Sequence, residues 1–239
     1  MKYSWAVESH VGLVREGNED SYAPATDDAS EGPVLIAVAD GMGGHTAGEV
    51  ASRIAIDAAT GTGVVAGDDP RERVELANEA VIAAVIENPL LAGMGTTLTL
   101  GVFEAEGLLR VGHVGDSRAY VLRNGDLRLL TTDDTVVDEL LRAGHISEDE
   151  ARRHPRRHFL TQSIGMPDIE VALIEEQLSA GDRVLLCTDG LTNMVPGDEI
   201  RRLLGAAESP SEAAWNLIDA ANAAGGHDNT TVAVVDVTR

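Results

Sequence analysis

Apolar residues in this chain gather in short runs broken by glycine, aspartate and proline, and the spacing inside each run separates strands from helices. "VLIAVAD" (34–40) is a continuous apolar run closed by Asp40, as expected of a short buried strand. Thr46 and Glu49 then have the T-x-x-E spacing of a capping box, and Ala47, Ala51, Ile54 and Ala58 recur at helical intervals, so a helix is expected from about residue 47. Asp69 and Pro70 open a second helix, whose apolar stripe is Val74, Ala77, Val81 and Val85. "TTLTLGVFE" (96–104) alternates and "LLRVGHVG" (108–115) follows. "RAYVLRNGDLRLLT" (118–131) sets Asn124-Gly125 between two apolar runs, the strongest short signal of a hairpin. Residues 134–158 turn polar and helical, with Ser147 and Glu150 as another capping box. "IEVALIEEQL" and "DRVLLCTDG" read as strands, helices are expected near 197–206 and 210–223, and "TTVAVVDV" is a last strand.

This order is not a regular alternation of strand and helix, which speaks against a doubly wound or barrel fold. Helix pairs separated by hairpin strands predict an α+β fold with sheets packed together and helices outside. No repeat, low-complexity tract or long linker interrupts the chain, so residues 1–239 are expected to form one domain.

Composition narrows the core and the partners. Hydrophobic residues make up 44% and aromatic residues only 3%, so the core must be built from Val, Leu, Ile and Ala. Forty acids against 18 bases give a net charge of −22, which argues against nucleic acid or an anionic membrane as partner. The same charge suits a holder of cations, or simply a self-repelling surface. Cys187, the single cysteine, lies in an apolar run and is expected to be a core residue. The N-terminus has no signal-peptide core, and no stretch approaches the roughly 18 apolar residues of a membrane span, so a monomer in the cytoplasm is expected.

Acidic residues recur where buried strands meet loops. Asp40 and Asp189 each end a strand and precede glycine, Asp116 follows "RVGHVG", Asp228 follows Gly225-Gly226-His227, and Glu19 and Asp20 stand in "REGNED". Any one of them reads as a turn residue. As a set they would repel one another unless cations neutralised them, and all-oxygen ligands suit Mg²⁺ or Mn²⁺. Nothing in the spacing shows that they meet in space.

Seven stretches carry a resemblance: "GLVREGNED" (12–20), "VADGMGGHTAGEVAS" (38–52), "GTTLT" (95–99), "VGDSRAY" (114–120), "LTQSIG" (160–165), "CTDGLTN" (187–193) and "GGHDNTTVAVV" (225–235). In this order, over nearly the whole chain, they resemble the metal-dependent protein phosphatases, the family of protein phosphatase 2C, and "DGMGG" looks like its bacterial branch. The resemblance implies a four-layer α-β-β-α sandwich of two antiparallel sheets with a metal site at one edge. It also implies a serine/threonine protein phosphatase that hydrolyses phosphorylated proteins with a water activated by two metal ions. Asp40 would bridge the ions, the Gly41 carbonyl would ligate one, with glycine there to give that carbonyl room, and Glu19 or Asp20 would stand nearby. Asp189 and Asp228 would complete the other ion, Asp116 with Asp189 would hold a third, and Arg15 would grip the phosphate through its planar fork.

Two positions depart from the family pattern. Met42 stands where some members have a histidine that could serve as general acid. His45 is three residues further on, so a metal-held water is the favoured proton donor. Gln162 replaces a frequent arginine. The segment 134–160 corresponds to the family's flap and carries Arg152, Arg153, Arg156 and Arg157, four of the 18 bases within six positions. They read either as a solvated helix end balanced by "SEDE", or as a dock for acidic or multiply phosphorylated substrates. Competing functions are a catalytically weak phosphoprotein-binding regulator and a phosphatase of small esters. The intact aspartates disfavour the first, and the absence of a Gly-x-x-x-x-Gly-Lys-Ser/Thr loop leaves nucleotide binding without support.

Overall fold

The computed structural model describes residues 1–239, apart from the side chains of His45, Thr46 and Arg152. Strands β1 (Lys2–His10), β2 (Asp20–Ala23), β3 (Asp28–Ser30) and β4 (Val34–Met42) lead into helices α1 (His45–Thr60) and α2 (Pro70–Glu87). Five strands follow: β5 (Gly95–Thr96), β6 (Leu98–Phe103), β7 (Leu108–Val114), β8 (Arg118–Arg123) and β9 (Asp126–Leu129). The short helices α3 (Val136–Arg142) and α4 (Glu148–Arg152) precede β10 (Ala172–Gln177) and β11 (Arg183–Cys187). Helices α5 (Asp189–Thr192), α6 (Gly197–Ala206) and α7 (Pro210–Ala223) and strand β12 (Thr230–Thr238) complete the chain.

The strands form two antiparallel sheets. One runs β3-β1-β12-β11-β8-β9 and the other β10-β7-β6-β4-β2, with β5 attached to β4. Strand alternation explains why the apolar runs are continuous: each central strand is buried on both faces. On β11, Val184 and Leu186 face the other sheet while Leu185 and Cys187 face α6 and α7. On β4, Ile36 and Val38 face the other sheet while Ala37 and Ala39 lie under α1 and α2. The result is helix, sheet, sheet, helix, with a core of small aliphatic side chains that includes few aromatics, such as Tyr3 and Phe103 in edge contact at 5.4 Å.

The pattern located most elements and missed some. Asp69 caps α2 by accepting from the Arg71 N–H, and the Asn124-Gly125 hairpin is present with φ of 53° and 84°. Strands β1, β2 and β3 occupy a stretch where the pattern marked none. β1 is paired along its full length with β12, so the two ends of the sequence share one ladder. Helix α1 starts at His45, two residues before the expected start, because Gly43 and Gly44 with φ of 122° and 86° complete the turn first. The capping box expected on Thr46 falls outside the described residues. Ser147 and Glu150 do form theirs. Among the described residues no helix is long and apolar enough to cross a membrane.

Candidate metal centre and phosphate site

Five aspartates reach one edge of the two-sheet stack. Asp20 opens β2 opposite Asp40 in β4. Asp116 occupies the turn between β7 and β8, Asp189 follows β11 at the start of α5, and Asp228 stands just ahead of β12. A cavity of about 540 Å³ is lined by Arg15, Glu19, Asp40, Gly41, Asp116, Asp189 and Asp228, and Asp20 is buried beside it. The set that the spacing could not bring together is therefore together.

Its electrostatics are those of crowded, poorly hydrated carboxyls. Burial first, then the charges of Asp20, Asp189 and Asp116, hold Asp40 well above the usual carboxylate range. Burial pushes Asp116 up to about 8, with Asp189 adding to it. Asp20 rises to about 7 by burial, although Thr231 and Thr188 donate hydrogen bonds of 2.7 and 2.9 Å to its Oδ2. Burial first, then the charge of Asp228, also raise Asp189.

The donors suit a hard divalent cation. All are oxygens, and two deeply buried ones, Oδ1 of Asp20 and Oδ1 of Asp189, have no hydrogen-bond partner. As placed, the side chains are paired with neighbours: Asp228 Oδ2 accepts from Arg15 at 2.8 Å and Asp189 Oδ2 from Asn193 at 2.8 Å. Among the described residues no three His, Cys, Asp or Glu side chains form a ready cage.

Gly41 has a steric reason that the sequence did not show. A Cβ there would lie 2.2 Å from the Gly48 carbonyl oxygen and 2.6 Å from that of Glu19. The glycine lets α1 and the Glu19 loop pass closely over β4, which brings the Glu19 loop against the site.

The fold and this edge cluster together match a known family. A family model described as protein phosphatase 2C matches residues 14–224. The chain belongs to the protein phosphatase 2C family. It is 43% identical over 241 residues to the serine/threonine protein phosphatase PstP of Mycobacterium tuberculosis, an alignment covering 98% of this chain and 45% of that protein. It thus spans about half the length of this relative. It is 38% identical to the serine/threonine phosphatase stp of Listeria welshimeri, covering 94% of this chain and 92% of that one. A crystal structure of Mycobacterium tuberculosis PstP matches with a TM-score of 0.91 at 39% identity, with both chains fully covered. The PstP catalytic domain in complex with two manganese ions matches at 0.88 and 40% identity, covering 100% of this chain and 99% of that one.

Several side chains that support the phosphatase-family site were invisible in the sequence. Asn229 donates to the carbonyls of Val11 and Gly17 and accepts from the Glu19 N–H, so it ties the Arg15 loop to β12. Thr97 receives the Asp40 N–H at 2.9 Å and meets Ser117 at 2.7 Å, linking the Asp40 and Asp116 turns. His113, buried and kept neutral by burial, bridges Thr99 and the Thr132 carbonyl beneath them. These are neutral residues with no motif of their own. Only "NTT" and "CTD", polar pairs at strand ends, hinted at Asn229, Thr231 and Thr188.

The flap is a closed excursion. Thr135 bridges Leu160, the Val136 N–H donates to the Phe159 carbonyl at 2.9 Å, and the Thr161 N–H donates to the Asp134 carbonyl at 2.8 Å. Gln162, lacking the arginine's charge, donates to Asp134 and accepts from the Glu170 N–H. Arg153, Arg156 and Arg157 are exposed on the turn after α4, and Arg152 lies outside the described side chains. Arg157 and His158 line a second cavity of about 880 Å³ between the flap and α5–α6. His158 is an imidazole that the sequence reading missed at the site: it lines both cavities and its charge works against the rise of Asp189. Its signal was only its place at the end of "ARRHPRRH". Cys187 is buried with its thiol pushed up to about 12, chiefly by burial, and takes no part.

Proposed function

We propose that residues 1–239 form one metal-dependent domain that hydrolyses phosphoserine and phosphothreonine in proteins phosphorylated by serine/threonine kinases. The observation that carries this reading is the convergence of Asp40, Asp116, Asp189 and Asp228 with Arg15 on one cavity, with Asp20 buried beside it, in a protein phosphatase 2C fold. The pairing of β1 with β12 supports treating the chain as a single unit.

Asp20, Asp40, Asp189, Asp228 and the Gly41 carbonyl would hold two Mn²⁺ or Mg²⁺ ions, with Glu19 at the rim, and Asp116 with Asp189 would hold a third. When bound, such ions supply the Lewis acidity that readies a water for attack and offsets charge on the phosphoryl oxygens. The chain's own residues do the rest. Arg15, half exposed beside Asp228, turns its fork to two phosphate oxygens and fixes the phosphoryl group over the carboxylates. Asn229 and the Thr97–Ser117 pair hold the Arg15 loop and the Asp40 and Asp116 turns so that little reorganisation is needed as charge develops. Met42 offers no proton, and water remains the donor to the leaving alcohol.

The test is phosphate release from a phosphothreonine peptide with Mn²⁺, with a chelator, and by Asp228→Ala. We expect release only with Mn²⁺ and a loss of at least about a hundredfold in the variant. Metal-independent turnover, or full activity of Asp228→Ala, would falsify the reading.

A further inference from the structure

The same cavity has a second character. Besides its carboxylates, Met42, Phe159, Leu160 and Met166 line it. Single exposed apolar residues need no explanation, but four apolar side chains lining one functional cavity, with Phe159 exposed and the other three half-buried, do. The chain has only two phenylalanines, and they are used in opposite ways: Phe103 is fully buried in the core while Phe159 is 59% exposed at the cavity mouth.

These four positions are held in place by backbone. Met42 pairs with Gly95 in the β4–β5 ladder. Phe159 and Leu160 close the flap through the Val136 N–H and the bridge to Thr135. The Met166 carbonyl accepts from Asn78 and its N–H donates to the Ser163 carbonyl. An aromatic ring kept exposed on an anchored backbone is a prepared contact surface.

Geometry also says what crosses it. A phosphorylated serine or threonine is short, so the residues on either side, each about 3.8 Å along the chain, must run over the mouth while the phosphate reaches Arg15. A glycine or small polar neighbour there would leave Phe159 uncovered, whereas an apolar side chain would cover it.

Resting on the phosphatase reading, we propose that Phe159, with Met42, Leu160 and Met166, forms an apolar lip that selects phosphopeptides carrying an apolar side chain beside the phosphorylated residue. Met42 thus acts as part of a recognition surface. Phe159 is the specificity-determining residue, and it acts on binding.

The experiment compares two phosphothreonine peptides that differ only in having leucine or glycine on both sides of the phosphothreonine. Phosphate release with Mn²⁺ is followed for the unaltered protein, Phe159→Ser and Phe159→Leu. The leucine peptide is expected to be favoured by about fivefold in kcat/KM, with the difference in KM. Phe159→Ser brings the ratio near one and Phe159→Leu restores most of it. Equal rates for the two peptides, or an unchanged preference in Phe159→Ser, overturn the lip alone. No release from either peptide overturns the phosphatase reading and the lip with it.

Discussion

At the scale of single residues, the site is a set of carboxylates whose protons are held by their surroundings. Asp20 illustrates the consequence. Two threonine hydroxyls serve one of its oxygens and the other has no partner. Asp20→Asn removes a buried charge that repels Asp189 and Asp228 while keeping the shape. Without divalent cations the variant is therefore expected to melt at or above the temperature of the unaltered protein, and with Mn²⁺ it should show little of the cation-induced rise. Thermal melts with and without Mn²⁺ read both. A large drop in the cation-free melting temperature would show that the carboxylate is needed for packing, and a full Mn²⁺ response would remove it from the ligand set. Asp20 was legible as a candidate from "REGNED". Its partners were not, because Thr188 and Thr231 lie 168 and 211 residues away, stand in or next to the other sheet and meet it only where the two sheets stack.

Among elements, the flap carries the question the composition raised. Its ends are fixed at Thr135 and Leu160, and its far turn presents Arg153, Arg156 and Arg157. Among the described residues these three arginines make no ion pair, although the rest of the surface is strongly acidic. Replacing Arg152, Arg153, Arg156 and Arg157 with glutamine is expected to slow turnover of an acidic phosphopeptide several-fold while a small aryl phosphate is less affected, with the contrast shrinking at high salt. Equal losses on both substrates would assign the cluster to solvation of the turn. Elsewhere, elements with strong local signals were placed within a residue or two: the Asn124-Gly125 hairpin, the Asp69-capped helix and the Ser147 box. Strands β1, β2 and β3 escaped the pattern because they lie toward one edge of each sheet and are only half buried, so their polar and apolar positions blur.

For the whole molecule, charge and pH act together. The net charge is −22, and the edge cluster concentrates part of it in poorly hydrated space. Asp20 and Asp116, raised to about 7 and 8, hold protons in the folded chain that an unfolded carboxyl has released above about pH 4. Their contribution to stability is therefore greatest at the acid end of that window and is lost as pH rises through their folded values. Asp182 acts in the opposite sense: burial alone would raise it, but hydrogen bonds from Arg123 and the Ser179 N–H lower it, so its contribution is lost only at lower pH. With chelator, the melting temperature is expected to fall between about pH 5.5 and pH 8.5, and Mn²⁺ should stabilise most at the alkaline end, where the carboxylates are free to bind it. Calorimetry across that range checks the sign. A chelated protein that gained stability toward pH 8.5 would contradict the raised values.

The sequence by itself determined the layers, because apolar runs buried on both faces and helices with one apolar stripe have few ways to pack. It also determined which acids stand at strand ends, since a carboxylate can be placed by counting from a run. The tertiary structure alone decided which of them meet. Asp20 in β2 and Asp189 after β11 belong to different sheets, and their adjacency is a property of how the two sheets stack, which no local pattern encodes. The same holds for Gly41, needed for the approach of α1, and for Phe159, whose exposure beside the carboxylate cavity exists only with residues 135 and 160 bridged.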